Sequence, residues 1–342
     1  MNYHLPAEWA PQSGVQLTWP HAQTDWNYML PSVTECFLSI AREIAKCEKL
    51  LIVAPSAKEV YAQLTEAKVN LENVILFEAP TNDTWARDHG ALTLLNEADA
   101  PLLLDFQFNG WGAKFAAKKD NALTQCLHNS KVIHGNYESH LDFVLEGGSI
   151  ESDGRGTLLT TTKCLLAPHR NQPLTQHDIE QRLLTYFRAQ RILWLDYGEL
   201  IGDDTDGHID TLARLCPNDT IAYVQCLNPK DEHYSSLQKM EQQLQSFRTA
   251  SGLPYQLLPL PLPEPIFDEE GERLPATYAN FLVINGAVLY PIYAQPINDK
   301  LAKKVLAQAF PEHKIVPIDC LPLIKQHGSL HCVTMQYPTN VL

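Results

Sequence analysis

Basic residues are scarce in this chain of 342 amino acids, which has 26 Lys and Arg against 40 Asp and Glu. The resulting formal charge of −14 argues against a nucleic-acid surface, because phosphate recognition depends on clustered Lys and Arg. Long hydrophobic runs are also missing, since no stretch reaches the roughly 18 apolar residues that a membrane helix needs. The opening residues MNYHLPAEWAPQSG lack the basic and apolar segments of a signal peptide. We therefore expect a cytoplasmic protein that binds neither nucleic acid nor membranes.

Closely spaced cysteines are absent as well. The chain has eight Cys, and their spacing excludes CxxC redox and zinc-ribbon patterns. Free thiols are the default for such a chain in a reducing compartment. The remaining composition, with 45% apolar and 9% aromatic residues, is that of a folded globular protein. Its acidic excess is typical of a solvated surface and suits a cationic substrate only weakly.

Hydrophobic periodicity predicts alternating strands and helices. Predicted strands cover residues 15–19, 50–55, 74–80, 91–95, 101–108, 157–166, 191–196 and 220–225. Predicted helices cover residues 32–47, 56–68, 175–190, 232–251 and 298–310. Five helices over 342 residues give about 68 residues per unit, which is the size of a ββαβ repeat.

Local signals refine this pattern. Ser56 before Glu59 and Thr175 before Asp178 have the spacing of a capping box, which predicts two helix starts. The Pro-rich stretch 254–280 could be a domain linker, but its leucines are too apolar for one. We interpret it as a strand followed by a long ordered loop.

Four short segments place polar residues beside Gly at the ends of predicted strands. The first has Trp85, Arg87 and Asp88 immediately before a strand, and its alternative reading is a surface turn with an Arg–Asp pair. The second has Glu146 before two glycines, which fits either a cation-binding carboxylate or a β-bulge. The nearby 153–156 segment predicts a hairpin turn.

The third segment is rich in Asp and contains Asp204, His208 and Asp210. If residues 208–214 form a strand, His208 and Asp210 point to one face, where they would form a general acid–base unit. The spacing does not match a calcium loop, which needs a Glu at its twelfth position. A divalent-metal site and a structural acidic turn stay open as alternatives.

The fourth segment contains Cys332, ten residues from the C-terminus. A lone Cys is usually a small buried hydrophobe. In a strand His331 would point away from Cys332, so His208 is the better candidate for its base. Together the segments supply a Cys nucleophile, an acid–base His and a carboxylate clamp suited to a cationic electrophile. The papain-type Cys signature is absent.

These segments resemble the agmatine deiminase / bacterial-type peptidylarginine deiminase family of the guanidine-modifying (pentein) superfamily. The family's patterns are approximately W-x-R-D-x-G-P, E-G-G-N, D-E-T-x-G-H-x-D and G-G-x-N-I-H-C-x-T-x-Q. They correspond here, in the same order, to 85–91, 146–149, 203–210 and 328–336. The resemblance implies an α/β fold: a five-bladed α/β-propeller of ββαβ repeats with pseudo-fivefold symmetry. It also implies that residues 1–342 form a single catalytic domain.

The resemblance further assigns roles to five residues. Cys332 would attack the guanidinium carbon and form an amidino-cysteine intermediate. His208 would protonate the leaving ammonia and then deprotonate water. Asp88 and Asp210 would hold the guanidinium nitrogens, and Glu146 would sit near His208 or the same nitrogens.

Substrate-binding roles are expected for four further residues. Trp85 and Trp111 would wall the pocket, while Arg87 and Asp204 would bind the substrate. Asp204 is one methylene shorter than the family's Glu, and Ser149 replaces an Asn, which puts agmatine specifically in doubt. No metal or organic cofactor is expected.

The expected reaction is hydrolysis of agmatine to N-carbamoylputrescine and ammonia. The first alternative is the same chemistry on peptidylarginine, free arginine or another alkylguanidine. A non-catalytic guanidine-binding protein of this fold is the second alternative, and a divalent-metal hydrolase is the third. The small cationic guanidino substrate is the expected partner, and a homo-oligomer is left open.

Overall fold

Sixteen strands are present in the computed structural model, which describes residues 3–342. In chain order they are β1 Gln12–Thr18, β2 Lys49–Ala54, β3 Val74–Glu78, β4 Leu92–Leu95, β5 Pro101–Gln107, β6 Asn136–Val144, β7 Ile150–Ser152, β8 Thr157–Thr161, β9 Arg191–Leu195, β10 Ala213–Cys216, β11 Thr220–Gln225, β12 Gln256–Pro261, β13 Leu282–Ile284, β14 Ala287–Ile292, β15 Lys314–Asp319 and β16 Thr334–Pro338.

Ten helical segments lie between these strands, and several are single turns. They are α1 Leu30–Cys47, α2 Ala57–Glu66, α3 Ala86–His89, α4 Gly110–Ala113, α5 Leu123–Asn129, α6 Thr162–Leu165, α7 Gln176–Tyr186, α8 Tyr234–Ser246, α9 Pro296–Ala309 and α10 Leu321–Ile324. Short 3-10 turns add Asn27–Met29, Leu71–Asn73, Asp120–Ala122, Gly147–Ser149 and Ile209–Thr211. No helix among the described residues is long and apolar enough to cross a membrane.

The strands form five small mixed sheets, which makes this an α/β fold. Four sheets have three strands, in the orders β4-β5-β6, β7-β8-β9, β10-β11-β12 and β13-β14-β15. In each, the first two strands are antiparallel and the third is parallel to the second, after a helical crossover. The fifth sheet, β16-β1-β2-β3, repeats this order by joining the last strand of the chain to the first. The predicted ββαβ unit therefore occurs five times.

The long helices cover the sheets with the faces that the periodicity predicts. In α1 the apolar side chains of Val33, Phe37, Ile40 and Ile44 are fully buried. Each such burial contributes roughly 1.5–3 kcal/mol to folding. The hydroxyls of Ser56 and Thr175 accept backbone N–H bonds at the predicted starts of α2 and α7, and α7 has a complete capping box.

One predicted strand is too long, and the strand considered over residues 208–214 forms only from Ala213 onward. The run 157–166 leaves the sheet after Thr161, because the hydroxyl of Thr161 accepts the N–H of Cys164 at 3.3 Å and starts α6. Residues 208–212 are not a strand: Ile209–Thr211 form a 3-10 turn, and β10 begins only at Ala213. Stretch 254–280 is a strand and then a loop, as predicted, and the loop carries a small bridge between Phe267 and Arg273.

Candidate active site

Asp88 lies on the one-turn helix α3, whose four residues are all buried rather than forming a surface turn. Its Oδ1 accepts the backbone N–H of Gly148 at 3.0 Å, and its Oδ2 accepts the indole N–H of Trp111 at 2.9 Å. Burial raises the pKa of Asp88 to about 6; His208 opposes this shift and Asp210 adds to it. This carboxylate is thus fixed in position and easily neutralised by a proton.

His208 and Asp210 are placed by the 3-10 turn Ile209–Thr211. The preceding loop is shaped by Asp203, whose carboxylate accepts the N–H of Thr205 at 3.0 Å. The Oδ1 atom of Asp210 is buried and has no hydrogen-bond partner among residues 3–342, whereas the buried His208 ring lies beside the Cys164 thiol, with its Nδ1 3.7 Å from Oδ1 of Asp88. Buried polar atoms are seldom left unpaired, so Oδ1 of Asp210 is a candidate contact for a ligand.

The side chains of Asp88, His208 and Asp210 meet around Gly148. A Cβ atom built on Gly148 would lie 2.6 Å from His208 Nδ1, 3.0 Å from Asp210 Oδ2 and 3.0 Å from Asp88 Oδ1. Only glycine leaves room for three polar groups at this backbone. The structure therefore brings together three of the expected catalytic residues, although a turn and not a strand arranges His208 and Asp210.

Burial and the neighbouring charges shift the pKa values of His208 and Asp210 in opposite directions. Burial disfavours a charged His208, yet the carboxylate of Asp88, 3.7 Å from Nδ1, and the Cys164 thiol raise the pKa of His208 well above its usual value. Burial would raise the pKa of Asp210, but a hydrogen bond from His331 and the charge of His208 lower it. The imidazolium and the Asp210 carboxylate are therefore the stable forms at neutral pH.

Cys332 lies in a turn just before β16 and is buried. Its Sγ donates to the Asn280 side-chain oxygen at 3.4 Å, and its backbone N–H points to the same oxygen. Burial raises the pKa of the Cys332 thiol well above its usual value, and the negative charges of Asp210 and Asp88 add to this. Without a neighbouring cation the sulfur stays a thiol.

Cys332 and Asp88 line a cavity of about 170 Å³ that is walled by indole rings. Trp85 and Trp111 meet edge to face with their ring centroids 6.2 Å apart, which is a favourable aromatic geometry. Gly328 packs directly on the Trp85 ring, so a side chain there would displace it. The two tryptophans thus lie where the sequence predicts them.

Three carboxylates line the rest of the cavity: Asp25, Asp83 and Asp204. Burial raises the pKa of Asp83 to about 7, and the charge of Asp25 contributes. Neither Lys nor Arg is among the described residues that line the cavity. The predicted position of Asp204 at the pocket agrees with this geometry.

Arg87 faces away from the cavity, which contradicts the expectation that it binds substrate. Its guanidinium donates to Glu8 at 3.3 Å and to the side chain of Gln336, behind the turn that carries Cys332. A fully buried arginine needs these acceptors, and they lie on the far side of α3.

Arg170 is a site residue that the sequence motifs do not identify. Its Nε donates to Glu146 at 3.0 Å, and its terminal nitrogens donate to Asp206 at 2.7 Å and to the carbonyl of Thr205 at 2.8 Å. Glu146 is thereby neutralised beside His208, consistent with the predicted neighbourhood. The sequence gives no signal that links Arg170 to this loop. Arg170 lies just after the predicted strand 157–166, more than thirty residues before Thr205 and Asp206.

Two groups of residues have the composition of a metal site among the described residues. Glu146, Cys164 and His208 form one, and Glu8, Glu151 and His331 form the other, each with ligand atoms within 4.8 Å of one another. An arginine already serves as the cation in both. Arg170 pairs with Glu146 in the first, and Arg214 donates to both carboxylates of the second, Glu8 and Glu151.

Comparisons with known proteins agree over almost the whole chain. The family model described as Porphyromonas-type peptidyl-arginine deiminase matches residues 4–338. A Vibrio parahaemolyticus protein named "putative agmatine deiminase" is 35% identical over 98% of this chain and 97% of its own length.

Two solved structures are similar throughout. The "putative arginine deiminase" of Porphyromonas gingivalis is 50% identical, has a TM-score of 0.94 and covers 100% of both chains. The substrate-bound agmatine deiminase of C. jejuni is 37% identical, with a TM-score of 0.92, and the match covers 100% of this chain and 98% of that one.

Proposed function

Because the chain belongs to the Porphyromonas-type peptidyl-arginine deiminase family, we propose that it is a hydrolase that converts agmatine to N-carbamoylputrescine and ammonia. The observation that carries this proposal is the meeting of Asp88, His208 and Asp210 at Gly148 beside Cys332. A planar cation is the ligand that two buried carboxylates at one point require.

The wider architecture belongs to the same proposal. The five sheets would be the blades of an α/β-propeller with pseudo-fivefold symmetry, and residues 1–342 would form one catalytic domain that works in the cytoplasm. The fivefold recurrence of the ββαβ order supports this arrangement. So does the site itself, which draws its residues from 85 to 332.

Binding of the guanidinium would prepare the nucleophile. Burial raises the pKa of the Cys332 thiol, and the charges of Asp210 and Asp88 raise it further, which favours the protonated sulfur. A bound guanidinium brings a positive charge between these carboxylates and the sulfur, which lowers the pKa of the thiol. The substrate would therefore help to generate the thiolate that attacks it, and the carboxylates would hold its carbon in line.

Two half-reactions then follow. The Cys332 thiolate forms a C–S bond to the guanidinium carbon, and the C–N bond to the terminal nitrogen breaks as the His208 imidazolium gives that nitrogen a proton. Ammonia leaves and an amidino-cysteine remains. The now neutral His208 takes one proton from water as the water oxygen bonds to the carbon. The C–S bond then breaks to release the thiolate, and the ureido product gives up the second proton of that water to solvent.

The acidic lining of the cavity favours agmatine over arginine. Asp25, Asp83 and Asp204 would attract the ammonium end of agmatine, whereas the α-carboxylate of free arginine would meet these carboxylates with no Lys or Arg among the lining residues and only His327 as a basic side chain. Peptidylarginine and other alkylguanidines lack this ammonium and would gain less from these three residues.

The test is ammonia release from agmatine, arginine and a peptidylarginine by the intact protein and by Cys332→Ala. We expect turnover of agmatine that exceeds the other two and disappears in Cys332→Ala. No turnover of any guanidine would overturn the proposed function, and preference for arginine would overturn the substrate class. Turnover that persists in Cys332→Ala would exclude the covalent mechanism, and loss of activity with a chelator would favour a metal hydrolase.

A further inference from the structure

His331 precedes the proposed nucleophile, but its ring is turned away from the cavity and is fully buried. Its Nδ1 lies 2.7 Å from Oδ2 of Asp210. On the other side, its Nε2 lies 2.8 Å from a carboxylate oxygen of Glu8 and 3.1 Å from a guanidinium nitrogen of Arg214. The ring therefore connects a proposed substrate ligand to a buried cluster behind it.

The carboxylate of Asp210 determines that Nδ1 of His331 carries a hydrogen. An ionised carboxylate only accepts hydrogen bonds, so Nδ1 must donate to Asp210 whether the ring is neutral or charged. Burial lowers the pKa of His331, and the charges of Arg214 and Arg87 lower it further, while Glu8 and Asp210 oppose this shift. Glu151 acts on this balance through its bond to Arg214.

The two oxygens of Asp210 consequently differ. Oδ2 is occupied by His331, while Oδ1 is buried with no partner among the described residues. Asn280 restrains both residues, because its side chain accepts the N–H of His331 at 2.8 Å and donates to the carbonyl of Asp210 at 3.4 Å. Rotation of the Asp210 carboxylate would break the bond to His331, so Oδ1 stays in one orientation.

We propose that His331 is a positioning residue that holds Asp210 with Oδ1 directed at the substrate guanidinium. It acts through Asp210 and exchanges no proton with the reacting atoms, since its Nδ1 is bonded to Asp210 and its Nε2 faces Glu8 and Arg214 behind the site. This inference rests on the proposed function, because it needs a guanidinium at Asp210.

Two substitutions separate this role from a general packing role. In His331→Asn the side-chain amide nitrogen takes the place of Nδ1 and can still donate to Asp210. In His331→Gln the amide reaches the place of Nε2, near Glu8 and Arg214, and leaves Asp210 without its donor. Both variants replace the imidazole ring with an open-chain amide, so a loss of packing would affect both of them.

The measurement is agmatine binding by titration calorimetry in the Cys332→Ala background, where no turnover occurs. We expect the Kd to rise roughly tenfold or more for His331→Gln and less than threefold for His331→Asn, because a hydrogen bond to a charged group is lost only in the first. In the active protein, kcat/KM should follow the same order. The loss of kcat/KM caused by protonation of Asp210, which lies at lower pH than the titration of Asp88 near 6, should move to higher pH in His331→Gln, because Asp210 loses the donor that favours its anion.

The possible outcomes separate a failure of this inference from a failure of the proposed function on which it rests. If Cys332→Ala does not bind agmatine at all, the proposed function fails. If it binds agmatine and the two variants bind equally well or equally poorly at matched thermal stability, the positioning role of His331 is wrong.

Discussion

Gly148 offers a direct probe of the candidate site, because a methyl group there would touch three of its residues at once. The Cβ of Gly148→Ala would lie 2.6 Å from His208 Nδ1, whereas ordinary contact begins near 3.4 Å, a shortfall of 3.4 − 2.6 = 0.8 Å. The oxygens of Asp88 and Asp210, at 3.0 Å, fall short by 3.4 − 3.0 = 0.4 Å. The φ angle of Gly148 is not positive, so the effect is one of space and not of backbone strain.

The expected loss follows from these displacements. Misplacing a reacting group by about 1 Å costs on the order of 10²-fold in rate, so we expect kcat/KM for agmatine to fall roughly 100-fold in Gly148→Ala. Overpacking should cost about 1–3 kcal/mol of unfolding free energy. Ammonia release measures the first quantity and urea denaturation the second.

Gly252→Ala is the control for lost stability. Gly252 has a φ of +83°, and a Cβ atom added to it would have no neighbouring atom within 4 Å, so alanine there brings strain without a clash. We expect it to lower the unfolding free energy by about 1 kcal/mol and to leave kcat/KM unchanged. If Gly148→Ala kept more than a third of the original kcat/KM, the convergence of the three side chains at Gly148 could not be the functional arrangement.

Three further outcomes are expected. Because burial raises the pKa of Asp88 to about 6, this carboxylate gains a proton as the pH falls through 6, and kcat/KM should drop about tenfold per pH unit below it; a flat profile between pH 7 and 5 would contradict this. Arg170→Met strands a buried carboxylate and should cost about 3–5 kcal/mol in urea denaturation, whereas Arg182→Met, which breaks an exposed pair, should cost less than about 1 kcal/mol. Asp83→Asn and Asp204→Asn should each raise KM for agmatine about two- to fivefold without lowering kcat, and an unchanged KM in both would remove the acidic lining from substrate recognition.

Much of the fold was predictable because it follows from local periodicity. The long helices and most strands were found from apolar spacing, and the starts of α2 and α7 from capping residues. The strand errors have a common cause. Thr161 and Asp203 redirect the chain through side-chain bonds to nearby backbone N–H groups, and an apolar pattern does not register such bonds.

The site was predictable only in part. Short motifs identify Cys332 and His208, since their chemistry is tied to residue type and order. Arg170, Asn280 and His331 act through contacts between residues distant in sequence, and the role of each depends on the fold. Arg87 shows the reverse error: it stands beside Asp88 in the sequence, but α3 turns the two side chains to opposite sides.

The pairing of β16 with β1 has a consequence for biosynthesis. Cys332 immediately precedes the strand that completes the fifth sheet, and that strand bonds to residues near the N-terminus. During translation the first strand is made hundreds of residues before its partner, so the β1 edge waits unpaired while the rest of the chain folds. The thiol therefore reaches Asp88 and Asp210 only after β16 has been synthesised and has paired with β1. The order of translation thus makes closure of the fifth sheet a precondition for assembly of the candidate site.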